Sequence, residues 1–180
     1  MPTDPAPAPD HDFDALDLCH RATLIALGRL AALVHRLQTR GADDEVRSLA
    51  REVTGHFAQT VRQHHADEER LVFPELITTG DQQTIKQVLR LQQDHCWLEE
   101  DWMEMQPHLE ALAAGQSWWD LDGLKAAAEV FSALSLDHIA LEESIIYPQA
   151  RERLAERNRR EPGRVLATQQ RATRGTRQLP

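Results

Sequence analysis

The chain has 180 residues, of which only 5% are aromatic, and its formal net charge at pH 7 is −9. This length suits one domain that buries its own core, and two cysteines suit a reducing compartment without a disulfide framework. Residues 1–150 hold 11 Lys and Arg against 26 Asp and Glu, which argues against a nucleic-acid-binding domain.

Four long amphipathic segments, separated by short breakers, predict four helices. The first extends from about residue 14 to 40 and ends at Gly41, a typical residue after a helix C-terminus. The second follows an N-cap at Asp43 or Asp44 and ends at Pro74.

The third predicted helix follows an N-cap at Asp81 and continues to about Leu112. The stretch "AAGQSWWD" at 113–120 then breaks the pattern, with Ser117 and Asp120 spaced as in a capping box. The fourth helix reaches Pro148. Long helices joined by short loops favour an all-α fold, an up-down-up-down four-helix bundle.

The ends of the chain differ from its middle in composition. Residues 1–11 are rich in proline, and residues 151–180 hold nine Arg against three Glu. We expect a flexible tail at 1–11, the bundle at 12–157 and a disordered Arg-rich tail at 158–180. The sequence has no apolar run of membrane-spanning length and no signal-peptide pattern, so we expect a cytoplasmic protein that does not enter the membrane.

One phrase occurs twice, as "HHADEERLVFP" at 64–74 and "HIALEESIIYP" at 138–148. Each copy contains His, three residues, Glu-Glu, two residues, Val or Ile, an aromatic residue and Pro. The first copy lies on the second predicted helix and the second copy on the fourth.

Four histidines are placed at one level of the predicted bundle. The midpoints of His20 and His64, of His64 and His95, and of His95 and His138 fall at 42, 79.5 and 116.5. Each midpoint lies inside one of the three predicted turns. Residues equidistant from a turn in an antiparallel hairpin lie at the same height, so these side chains should meet in the interior.

Two carboxylates accompany these histidines on the inward faces. Glu68 follows His64 by four residues and Glu142 follows His138 by four, so each pair shares one helix face. Two buried carboxylates are costly without compensation, and bound cations would supply it. Their neighbours Glu69 and Glu143 lie about 100° around the helix, on the solvent side or just outside the site.

Six nitrogen and oxygen ligands are too many for one tetrahedral zinc ion, so two metal ions fit better. Iron suits imidazole and carboxylate ligands, with manganese or zinc as alternatives. We predict that His65 points away from the ligands and that His56 is a core residue. The predicted metal ligands are His20, His64, Glu68, His95, His138 and Glu142.

These motifs, over about residues 12–155, resemble the hemerythrin-like HHE cation-binding domain. The resemblance implies a duplicated hairpin around a non-haem di-iron centre held by the six residues above. Their spacing is most similar to that of the iron-centre repair proteins of nitrosative stress, which use four His and two Glu. Those proteins also carry a cysteine-bearing N-terminal segment, whereas this chain begins with a Pro-rich stretch.

Oxygen-carrying members of the family have a fifth His four residues after the third-helix ligand, where this chain has Glu99. This difference argues against reversible oxygen carriage and leaves Glu99 as a surface residue or a seventh ligand. Three functions remain open. They are a di-iron protein that binds or reacts with O2, NO or peroxide, an iron-binding or gas-sensing module without catalysis, and a structural bundle with zinc or no metal.

Overall fold

The computed structural model describes residues 11–159, which are almost entirely helical and contain no strand. Two π-helical segments, His56–Val61 and Glu142–Ile146, interrupt the second and fourth predicted helices. The α-helices are α1 (His11–Arg40), α2 (Asp44–Gly55), α3 (Arg62–Leu71), α4 (Phe73–Thr79), α5 (Gln82–Ala113), α6 (Leu121–Leu141) and α7 (147–159). The all-α prediction is confirmed, and the tails predicted at 1–11 and 158–180 lie almost wholly outside the described residues.

Local capping groups fix where the helices begin. Asp43 accepts a hydrogen bond from the backbone N–H of Val46 at the start of α2, and Asp81 accepts one from Thr84 at the start of α5. Gly41 follows α1 with φ of 78°, a conformation that favours glycine. The predicted capping box at Ser117 is wrong, because Asp120 itself is the N-cap of α6.

Asp43 also forms an ion pair with Arg36, which ties the end of α1 to the start of α2. Hydrogen bonds from Arg36, and then from Val46, lower the pKa of Asp43 from 3.8 to about 2. The stabilisation is therefore complete above pH 3.8 and is lost as pH falls through about 2. We expect Asp43→Ala to lower the unfolding free energy at pH 7, and the deficit to shrink between pH 4 and 2. Denaturant titrations across this range test it, with Asp44→Ala, one residue away, as the control.

Both π segments lie beside the predicted site. The first ends at Val61, three residues before His64, and the second begins at Glu142 itself. A π segment inserts an extra residue into a helical turn and commonly accompanies functional sites. The chain continues past Pro148 as α7, since a proline in the first turn of a helix needs no backbone N–H.

The helices enclose two separate apolar clusters. In the bundle, α1 packs against α2 and α6, while α5 packs against the same two helices. One cluster includes Leu30, Leu109 and Phe131, and the other includes Phe73 and Ile146. A layer of buried polar side chains separates the clusters, so apolar residues bound it on both sides. Every helix in residues 11–159 is too short or too polar to span a bilayer.

Candidate metal centre

The polar layer contains the six residues that the sequence singled out, each of them at most 7% exposed. His20 Nε2 lies 3.0 Å from His64 Nε2 and 3.1 Å from a Glu142 oxygen. His138 Nε2 lies 3.1 Å from the other Glu142 oxygen, and His95 Nε2 lies 3.4 Å from Glu68. Helices α1, α3, α5 and α6 therefore bring the four histidines together, as their equal distances from the turns predicted.

The side chains form two groups whose candidate ligand atoms lie within 4.8 Å of one another. Glu68 belongs to both groups, so they adjoin and share a carboxylate. The first group is His20, His64, Glu68 and Glu142. The second group is His65, Glu68, His95 and His138.

His65 corrects the prediction that its side chain points away from the site. Its ring stacks on that of His95, with centroids 3.9 Å apart and an angle of 8° between the planes. Successive residues of an α-helix are 100° apart, so Glu68 lies about 40° from His64 and about 60° from His65. Both imidazoles therefore flank Glu68 on the inward face. The inward face is therefore centred between His64 and His65, and not on His64 as predicted.

The second glutamate of each repeated phrase orients a histidine on a different helix. His95 Nδ1 lies 2.8 Å from Glu69, and His20 Nδ1 lies 3.1 Å from Glu143. A hydrogen bond donated by Nδ1 leaves Nε2 free as a ligand, which is how outer carboxylates commonly orient metal-binding imidazoles. Half-exposed Glu69 and Glu143 thus lie just outside the site, one of the two placements predicted.

Removing these outer carboxylates should weaken metal binding without unfolding the bundle. We expect Glu69→Gln or Glu143→Gln to lower metal affinity about 10–100-fold, the usual effect of losing an orienting partner. Stability of the metal-free protein should change by no more than about 0.5 kcal/mol, because both side chains are half exposed. Competition with a chromophoric chelator measures the affinity, and Glu104→Gln, an exposed position on α5, is the control. Unchanged affinity in both variants would contradict the orienting role.

Tyr147 is a site residue that sequence reasoning did not identify. Its ring is buried and stacks on His20 at 5.2 Å, and its hydroxyl donates a hydrogen bond to Glu68. The equivalent position in the first copy of the repeated phrase is Phe73. A tyrosine in place of a buried phenylalanine needs a hydrogen-bond partner, and that substitution was the available signal.

The ionisable groups of the layer are buried and close to one another, and both conditions shift their pKa values. Burial raises the pKa of Glu68 to about 7, and the nearby Glu142 adds to the effect. Burial and then His20 lower the pKa of His64 to about 3. Burial opposes protonation of His138, but the carboxylates of Glu142 and Asp94 outweigh it and raise its pKa to about 10.

Several buried atoms of this layer lack a hydrogen bond of good geometry, although some of them lie 3.1 to 3.4 Å apart. Unsatisfied buried polar atoms are costly and rare, and here they converge on one volume. The unpaired atoms include His95 Nε2, His138 Nε2, Glu68 Oε2 and both Glu142 oxygens. Cations would satisfy these five atoms, since imidazole nitrogens and carboxylate oxygens are ligands for transition metals. The residues present therefore fit a bound metal ion.

The other candidates lie outside both groups. Glu99 is 47% exposed and forms an ion pair with Arg62, so its carboxylate is a surface group. His56 is partly buried and hydrogen-bonds to Thr23, so it lies at the edge of the core. Burial raises the pKa of the Cys19 thiol to about 11, whereas Cys96 is exposed.

Residues 11–150, which include both groups, match a family model described as the hemerythrin HHE cation binding domain. An uncharacterized protein of Haemophilus influenzae is 29% identical over 133 residues, which cover 74% of this chain and 75% of that protein. No solved structure matches the chain.

Proposed function

The chain belongs to the hemerythrin HHE cation-binding family, and on that premise we propose that it is a non-haem di-iron protein that binds or reacts with O2, NO or peroxide. The observation that carries the proposal is the pair of adjoining His and Glu groups that share Glu68. We retain the up-down-up-down order of helices as part of the proposal, supported by the packing of α1 and α5 against α2 and α6.

The ligand atoms of the two groups support iron as the bound metal and different roles for the two groups. The first group offers two imidazoles and the second offers three, and neither group contains a thiolate. Nitrogen and oxygen ligands that leave positions open are typical of non-haem iron. The first group, with fewer imidazoles, is the better candidate for binding an external ligand. Two adjacent irons, when bound, would supply reversible redox chemistry toward small oxygen or nitrogen ligands.

The protein's own residues have separable roles in this proposal. Glu68 and Glu142 would bridge the groups and balance positive charge, while Glu69 and Glu143 hold two imidazole rings in position. The Tyr147 hydroxyl donates a hydrogen bond to Glu68. The other groups of the layer are mainly carboxylate oxygens and imidazole nitrogens. The apolar clusters on both sides exclude bulk water and so strengthen these electrostatic interactions.

The test is metal content of the purified chain, combined with visible absorption before and after air exposure of the reduced protein. We expect about two irons per chain and the absorption of an oxidised di-iron centre in air, as four-helix bundles with facing His and Glu ligands can provide. Zinc or no metal, with no colour after anaerobic iron loading, would overturn the proposal. If two irons bind but their absorption does not change on addition of O2, NO or peroxide, the result favours the alternative function, iron binding without small-ligand chemistry.

A further inference from the structure

A cavity of about 550 Å³ opens beside the polar layer. Its inner end is lined by the histidines of both groups, including His20, His65 and His138. Its volume falls within the range of about 300–1,000 Å³ that is typical of sites for organic ligands. A diatomic ligand would fill only a small part of it.

The cavity is elongated along α5. The α5 residues that line it include His95, Leu98, Trp102 and Gln106, which recur at helical spacing along one face. Because each helical residue rises 1.5 Å, the eleven steps from His95 to Gln106 span about 16 Å. The cavity is therefore a cleft that leads away from the histidines toward the end of α5.

The walls of the cleft beyond the histidines are mainly apolar. Phe57 lies 5.3 Å from Trp102 and 4.9 Å from Phe131, ring centre to ring centre, and the three rings form one aromatic wall. Hydroxyls in the lining are already engaged, since Thr23 bonds to His56 and Ser135 donates to a backbone carbonyl. These walls suit an apolar chain or ring system and offer it few polar contacts.

The outer edge of the cleft carries a charged pair. Arg62 on α3 and Glu99 on α5 both line the cavity and form an ion pair that joins its two walls. Both side chains are substantially exposed, so the pair can separate at small cost. The histidine end differs, because two bound cations would carry at least four positive charges there, against the carboxylates of Glu68 and Glu142 and that of Glu69, which also lines the cavity.

We propose that this cleft binds an elongated organic monoanion, with its apolar body against the aromatic wall and its anionic head at the histidine end. A fatty carboxylate of medium length has this chemistry. The proposal rests on the proposed function for the head, because only bound cations make that end attract an anion. The apolar body depends on the cleft alone.

The test is calorimetric titration of the full-length, iron-loaded protein with decanoate. Acetate, which has the same carboxylate head without the long apolar chain, is the comparison ligand. Decanoate should bind at least about tenfold more tightly, because it buries apolar surface that acetate lacks. Ala58→Phe, which adds bulk to the wall, should weaken decanoate binding by at least about tenfold and leave acetate unchanged. Equal affinities for decanoate and acetate would overturn the proposal.

A second variant guards against misfolding of the first. Met103 lines the cleft and is 61% exposed, so Met103→Trp should obstruct it without disturbing the core. Val130, 59% exposed and absent from the lining, supplies the matched control Val130→Trp. Weakening by Val130→Trp equal to that by Met103→Trp would contradict the cleft as the binding site.

Metal content and decanol separate failure of this inference from failure of the proposed function. If iron loads but decanoate shows no preference over acetate, only the cleft proposal fails. If no metal binds, the anionic-head part fails together with the proposed function. Decanol has no anionic head and needs no metal, so its titration then tests whether the cleft binds an apolar body. Decanol binding that Ala58→Phe abolishes supports this part of the proposal, and absence of decanol binding overturns it.

Discussion

We expect the double variant Glu68→Gln, Glu142→Gln to lose binding of two metal ions. Both carboxylates are fully buried, and each contacts histidines from more than one helix. They are the buried anions between the imidazoles, so no other side chain of the two groups can replace their charge.

The effect of metal on stability makes this prediction diagnostic. Without metal, Glu142 is paired with His138 at 3.1 Å. Removing one partner of a buried ion pair is destabilising by about 3–5 kcal/mol, so the metal-free variant should be less stable than the parent. Bound metal, by contrast, stabilises only the folded parent, by about 4 kcal/mol at a thousandfold excess over the dissociation constant. For a chain of this length, metal should raise the parent's melting temperature by about 10 °C and leave the variant's unchanged.

The measurements are metal content after anaerobic loading and melting curves with and without metal. Glu100→Gln, Glu129→Gln is the control, since it makes the same change in net charge at two exposed positions. Two tightly bound metals in the double variant would remove both glutamates from the ligand set. A melting temperature that metal raises equally in the parent and in the double variant would show that the two carboxylates are not ligands.

The site could be predicted from the sequence because the number of residues between a side chain and the turn determines its height along a helical hairpin. When helices are joined by short turns, residues equidistant from a turn must meet, whatever the details of packing. His20, His64, His95 and His138 satisfied this condition at three turns, and the structure brings them within contact of one another or of shared carboxylates. N-caps at Asp43 and Asp81 were predictable for a similar reason, since capping depends on nearby backbone.

Features that depend on the rotation of one helix against another were not predictable. The contacts of Glu69 with His95 and of Glu143 with His20 join different helices, so spacing within one helix could not identify the partner. The two π segments have sequences that would also suit an α-helix, so spacing within the sequence could not distinguish the two conformations. The Ser117 capping box failed because Asp120 is better placed to accept the first N–H groups of α6.

His65 lies between these cases, since the sequence contained a signal that was not used. The first copy of the repeated phrase reads His-His and the second reads His-Ile, with Ile139 at the position of His65. An apolar, buried Ile139 shows that this position faces the interior in the second copy. The same position in the first copy should therefore also face inward, which places a fifth imidazole at the site and makes its two halves unequal.

We expect His65→Ala to reduce binding to about one metal ion per chain, because the second group would retain only His95, His138 and the shared Glu68. Loss of an orienting partner alone costs about 10–100-fold in metal affinity, so loss of a ligand should cost at least about 100-fold at that group. The first group does not include His65, and its ion should remain bound. Chelator competition resolves the two binding steps, and His35→Ala, an exposed histidine on α1, is the control.

A packing role for His65 makes a different prediction, because its ring also stacks on His95. If stacking were its purpose, alanine would destabilise the metal-free and metal-loaded forms equally, and both ions would still bind tightly. His65→Phe keeps a flat ring beside His95 but has no nitrogen to offer a metal. A ligand role requires that His65→Phe lose the second ion as fully as His65→Ala does. If His65→Phe instead binds both ions as tightly as the parent, the metal centre is held by the six residues predicted from the sequence alone.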